Sequence, residues 1–321
     1  MSPHRWGARG VVGAVSLALA VGGAPRPAVA QELTWFGSLG YAEGTYIFAD
    51  RYRTFSWLNT LALRAGRLTV SGSLPVWSQN GTVVSQVAGV PVPTGGPDQL
   101  VVQQRRPGEV IAGRGRRRAG APVPAVASQR LAPDARWMLL ADTTADSSLV
   151  SGTDDYAVHV ADPMFGGTFS VFEGGGTFRS LSLEAWAKAP LATVASGVGT
   201  GSWDVGAGAS VTMGARSLFL TTSATWWRLG DMPSLPLNDV VMYAVAAGGT
   251  IGRGWSLMSS AAASTRMFSG TQPPASVTVT LSRETSRGSS INVSAGAGLT
   301  ESAADLTLGV GWSARLLGRS R

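Results

Sequence analysis

Hydrophobic and polar residues take turns, with a period of two, along most of the second half of the chain. In residues 180–188, Ser180, Ser182, Glu184 and Lys188 share one parity, and Leu181, Leu183, Ala185 and Ala187 share the other. Side chains of an extended strand point alternately to its two faces, so this pattern predicts a strand with one apolar and one polar face. The split recurs in residues 203–213, 276–282, 290–299 and 305–316. In the last of these, Leu306, Leu308, Val310, Trp312, Ala314 and Leu316 oppose Asp305, Thr307, Gly309, Gly311, Ser313 and Arg315. A tilted strand that crosses a bilayer needs about 9–11 residues, against ~5–6 in soluble sheets, and the segments match the longer figure.

The polar face separates the possible architectures. It is mostly Ser, Thr and Gly, and on the opposite face bulky residues are mixed with Ala. Neither face suits the interior of a sandwich, which packs large aliphatic side chains between its sheets. A closed barrel places the apolar face against lipid and the polar face around a lumen, and closure leaves no backbone group unpaired in hydrocarbon. The expected fold is all-β: a transmembrane antiparallel up-and-down barrel.

Twelve strands are predicted, at residues 33–43, 54–65, 68–77, 168–174, 178–189, 203–213, 217–229, 239–251, 255–268, 275–283, 290–299 and 305–316. Asn59 shares a parity with Trp57, Leu61 and Leu63, which points to a register or facing irregularity there. The connections alternate in length. Short ones fall at 66–67, 174–177, 214–216, 252–254 and 284–289, and longer ones at 45–53, 191–202, 230–238, 269–274 and 300–304. An even strand count with short periplasmic turns and longer outer loops is the bacterial pattern, and it places both ends of the barrel chain in the periplasm. Trp35 and Trp255 then lie near the periplasmic rim, and Trp57, Trp77, Trp203, Trp226 and Trp227 near the outer one, as interfacial rings prefer.

The pattern fails over residues 79–165, between the first three strands (31–78) and the other nine (166–317). Pro91, Pro93, Pro97, Pro107, Pro122, Pro124 and Pro133 fall here, with eight arginines and three acids over 79–136, then five aspartates and no Lys or Arg over 137–165. Such a segment predicts an irregular insertion with a short strand near 137–141, a solvated outer loop in preference to a plug.

Composition and charge then refine the picture. Arg5 and Arg9, an apolar run over 11–24 and Ala28-Val29-Ala30 before Gln31 have the form of an exported signal segment cleaved between Ala30 and Gln31. Its removal takes Arg5, Arg9 and Arg26 and no acid, so the net charge of +7 becomes +4. The absence of cysteine excludes disulfides and thiolate metal sites. Residues 318–321 form a short tail.

Chemistry is sparse. His159 lies near Asp154, Asp155 and Asp162, but no serine is marked by a nucleophile motif, and no enzyme, cofactor or metal is expected. Arg114, Arg116, Arg117 and Arg118 could meet a polyanion, yet no interleaved aromatics or nucleic-acid-binding fold accompany them. A solvated loop, or contact with lipopolysaccharide phosphates, suits them better. Residues 197–201 are glycine-rich without the helix and Lys-Ser/Thr of a phosphate loop. The remaining candidates are the charges on inward parities: Arg64, Glu184, Lys188, Asp204, Arg266, Asp305 and Arg315. Their signs are mixed, which predicts weak ion selectivity or pairing across neighbouring strands.

Four stretches carry a family resemblance: residues 183–190 (Leu-Glu-Ala-Trp-Ala-Lys-Ala-Pro), 197–204 (Gly-Val-Gly-Thr-Gly-Ser-Trp-Asp), 228–231 (Arg-Leu-Gly-Asp) and 237–240 (Leu-Asn-Asp-Val). With them the chain resembles the outer-membrane barrel proteins associated with meta-pathway phenol degradation, over residues 166–316 and more weakly over 39–76. The resemblance implies a transporter-like barrel that passes or binds small hydrophobic or aromatic compounds. Residues 307–314 are similar to the last strand that the outer-membrane assembly machinery handles, although the chain runs on to Arg321 without a terminal Phe or Trp. The expected protein is a passive channel of the bacterial outer membrane, in contact with its lipid; the alternative is a structural or surface-interaction barrel with a closed lumen.

Overall fold

The computed structural model describes residues 31–106, 108–111, 156–285 and 289–317. Among them, twelve strands close into an antiparallel barrel: β1 (Gln31–Gly44), β2 (Tyr52–Ala65), β3 (Leu68–Gln79), β7 (Met164–Glu173), β8 (Phe178–Lys188), β9 (Asp204–Ala215), β10 (Leu218–Arg228), β11 (Val240–Gly252), β12 (Trp255–Ser264), β13 (Ala275–Thr285), β14 (Ser289–Gly298) and β15 (Leu306–Leu317). Each pairs with the next in the chain, and β1 pairs with β15, so the wall has no free edge. Two short strands, β4 (Ser85–Val87) and β5 (Val90–Val92), form a separate hairpin, and a one-turn helix, α1 (Gln99–Gln103), follows it. A further strand, β6 (Ala157–Val160), continues β7 along β3 beyond a break at residues 161–163.

Facing follows from the period of two. Leu281, Val293 and Val310 sit in one cross-strand row and are exposed, whereas their neighbours Thr280, Ser294 and Gly309 point inward. The outward positions make a predominantly apolar belt around a closed wall, with exposed Leu, Val, Ile, Phe and Trp side chains interspersed with Ala; Val293 is 54% exposed and Phe165 52%. In water such a belt would be a large aggregation surface; in hydrocarbon it is the solvated face. Trp312 packs across Gly37 on this face, where a side chain at residue 37 would collide with the ring, and Trp35 meets Trp312 edge-on at 5.9 Å.

Asn59 sits in the outward row, opposite Gly37 and Leu74, and β2 pairs with both neighbours without a register shift. The irregularity expected there is absent. The shifts that do occur, at Leu33/Thr34, Ser170/Phe172, Phe178/Ser180 and Thr250/Gly252, gather toward the short-turn rim, where bulges are common in barrels.

The buried core lies at the long-loop end. Tyr46, Ile47 and Phe48 from the first loop, Val83, Val84, Val87, Val92 and Val102 from the hairpin and helix, Leu229, Met232, Leu235 and Leu237 from the β10–β11 loop, and Met267 and Phe268 beyond β12 form one cluster. The insertion therefore departs from the solvated loop expected of it: its described first part folds inward. Five valines take part, and the β4–β5 turn at Ala88 and Gly89 descends against the inward-facing Met164 of β7 and Asp204 of β9. Both turn residues have positive φ, 46° and 83°, the two-residue hairpin geometry that matches strand twist. β12 also ends at Ser264 rather than near residue 268, because Met267 and Phe268 leave the wall to join this cap.

Candidate functional site

The seven charges predicted on inward parities are dispersed by the structure. Arg64 lies at the short-turn rim, exposed, with its guanidinium 2.8 Å from Glu173. Arg315 lies at the same rim and donates from Nε to Glu32 at 2.8 Å. Arg266 and Asp305 are not lumen positions. Arg266 follows the end of β12 in an exposed loop, and Asp305 precedes β15, where its carboxylate accepts from the Thr45 backbone N–H and stands 4.0 Å from Arg51. Parity assigned both to the lumen because the predicted strands were extended past their true ends.

Lys188 and Asp204 do face inward, but beneath the cap, where both side chains have no exposure. Their third partner is Asp162, in the break between β6 and β7. The Lys188 ammonium donates to Asp162 at 2.7 Å and to Thr200 Oγ1 at 2.8 Å, and it forms an ion pair with Asp204 at 3.3 Å. The free carboxylate oxygens are also occupied. Asp162 accepts from the Ala192 N–H, and Asp204 accepts from the N–H of Gly230 and, on its other oxygen, of Ala88 at the hairpin tip. One ammonium thus joins β8, β9, two outer loops and the plug hairpin. The sequence pointed to Asp162 only as a neighbour of His159; the clue was its place before Pro163, where the strand must break. His159 lies on β6 opposite Trp77, and the Asp162 carboxylate is turned to Lys188 and Ala192 instead. Asp154, Asp155 and residues 114–118 fall outside the described residues.

Glu184 points into the lumen at mid-height. Its carboxylate accepts from Ser210 Oγ at 2.9 Å and from Trp186 Nε1 at 3.3 Å. Two inward tryptophans, Trp186 and Trp227, lie over Gly166 and Gly206 of the neighbouring strands, and a side chain at either glycine would drive the ring away. With Met242, Met267, Val90 and Pro91 they line a cavity of about 410 Å³ directly below the hairpin, to which Ser223, Thr225 and Thr278 add hydroxyls. Of the two, only Trp227 was legible as an aromatic residue near a rim, and neither as a lumen-facing one.

A second anchor holds the cap from above. Arg105, just past α1 and with 1% side-chain exposure, makes a bidentate pair with Glu301 at 3.0 and 2.9 Å and also donates to the carbonyls of Gly270 and Glu109. The hydrogen bonds from Arg105 hold the Glu301 carboxyl below the ordinary carboxylate range. A depressed folded-state value gives stability that is present above the unfolded value, about 4.3, and is lost as pH falls through the folded one. Arg105→Ala is expected to loosen residues 99–111 by about 1–3 kcal/mol, the lower part of that range if screening at the partly exposed Glu301 dominates. Amide hydrogen exchange of this segment should rise in the variant at pH 7, and in the parent protein as the pH is brought to about 3.

A closed wall, an apolar outer belt, a polar lumen and a folded-in cap together define a transmembrane β-barrel. No protein-family model matches the chain, and no curated protein sequence does. Among solved structures it is similar to an outer membrane channel from Pseudomonas putida F1, at 10% identity over 92% of this chain and 98% of that one, with a TM-score of 0.55. The KdgM porin aligns at 6% identity over 86% of this chain and 97% of that one (TM-score 0.42), and the CymD monoaromatic hydrocarbon channel at 8% over 91% and 90% (TM-score 0.40). The likeness to the first of these shows the fold, an outer-membrane β-barrel, in keeping with the barrel that the sequence resemblance implied.

Proposed function

We propose that the protein is a passive channel of the bacterial outer membrane for small molecules, hydrophobic and aromatic compounds among them. The observation that carries this reading is the cavity of about 410 Å³ below the hairpin, with its Trp186, Trp227, Met242 and Met267 lining and its opening onto a lumen walled by Ser, Thr and Gly. Apolar walls with a few hydroxyls suit a compact, mostly apolar solute with one or two polar groups. The likeness in fold to an outer membrane channel supports the same reading. Export through cleavage after Ala30 and contact with lipopolysaccharide belong to this proposal.

The buried cap favours a second reading, a barrel whose lumen is closed. Reconstitution separates them. Proteoliposomes carrying the folded protein should swell in small uncharged solutes and give single-channel steps in planar bilayers. A folded barrel that does neither, with the β4–β5 hairpin present or excised, would leave the closed barrel as the function.

A further inference from the structure

Six of the seven candidate lumen charges are removed from the permeation path: Arg64 and Arg315 are paired at the rim, Lys188 and Asp204 are buried together with Asp162, and Arg266 and Asp305 lie beyond strand ends. What remains decides the field inside the barrel. Between the two rims, Glu184 is the one charged side chain at an inward-facing strand position among the described residues. The other inward positions there are Ser, Thr, Gly, Ala, Asn and a few apolar residues. Both hydrogen-bond donors to Glu184, the Ser210 hydroxyl and the Trp186 indole, are neutral, so they fix the carboxylate in place without cancelling its charge. The buried cluster above it adds to the same sign, since two aspartates meet one lysine. Arg179 stands near the turn end of β8, where it hydrogen-bonds the Arg216 carbonyl, at the rim that also carries Arg67, Arg216, Arg253 and Glu284 and away from the middle of β8 where Glu184 sits.

We propose that Glu184 sets the charge preference of this lumen, admitting small cations and protonated amines ahead of anions. The inference rests on the channel reading given above. A fixed charge acts on a passing ion over roughly one Debye length, about 8–10 Å at physiological salt, and low-dielectric walls strengthen it. The mixed charges in the sequence predicted weak selectivity; with six of them withdrawn, a single sign is left.

The test is the reversal potential of the full-length protein in planar bilayers across a KCl gradient. The parent channel should prefer K⁺ to Cl⁻, and the preference should shrink as the ionic strength is raised. Glu184→Gln, which keeps size and hydrogen bonding, should lower the permeability ratio by roughly threefold, and Glu184→Arg should invert it. Heat-modifiable gel mobility verifies that each variant is folded. A parent channel without cation preference, or a Glu184→Gln ratio equal to the parent's, overturns the assignment and leaves the channel intact. Absence of conductance in the parent overturns the channel reading and this inference with it.

Discussion

Replacing Lys188 by Met should unlatch the cap. The substitution keeps most of the volume but leaves Asp162 and Asp204 buried without a counter-ion, a situation that costs about 3–5 kcal/mol. The barrel has a cheaper remedy than unfolding its wall, because lifting the hairpin and the two loops lets water reach both carboxylates. The free-energy loss should therefore appear as cap opening. Limited proteolysis within residues 82–95 and 189–203, which tracks the open population when closing is fast, should accelerate by about 100-fold or more. Combining Lys188→Met with Asp162→Asn and Asp204→Asn removes the stranded charges and should restore most of the protection. If Lys188→Met alone left proteolysis unchanged, the ion cluster would have no part in holding the cap.

Excision of the hairpin should change conductance more than any point substitution. Its stems are adjacent, since the Gly95 N–H donates to the Val83 carbonyl at 2.9 Å, so residues 84–94 can be removed and the ends joined without altering the wall. The deletion takes out Val84, Val87 and Val92 from the cap core and the Ala88 N–H from Asp204. Single-channel conductance should rise severalfold while the twelve wall strands, which none of these residues belong to, keep their heat-modifiable mobility. Equal conductance before and after excision would mean that the limiting passage lies elsewhere in the lumen.

The wall was readable from the chain because each of its strands declares itself locally. Alternation in residues 290–299 or 305–316 needs no knowledge of any other segment, and the rhythm of short and long connections ordered all twelve. The cap has no such period. Val83, Val84 and Val87 sit in a proline-broken stretch, and Met267 and Phe268 follow β12 so closely that they read as its continuation. Their burial arises from five connections meeting, which no single window contains. Lys188 shows the same limit: its parity was correct, but its environment was set by Asp162 and Thr200 across a strand break and a loop. Where the sequence placed Arg266 and Asp305 inside, strand length was overestimated by only a few residues.

The cap core draws on segments as far apart as residues 46 and 268, and every one of them is tethered to the end of a wall strand. Local pairs such as Phe48–Tyr52 and Met232–Leu235 lie within one connection, but the contacts that join one connection to another need strand ends from around the whole mouth. The complete cap core is therefore a property of the closed cylinder, and its packing reports whether the strand ends have come together.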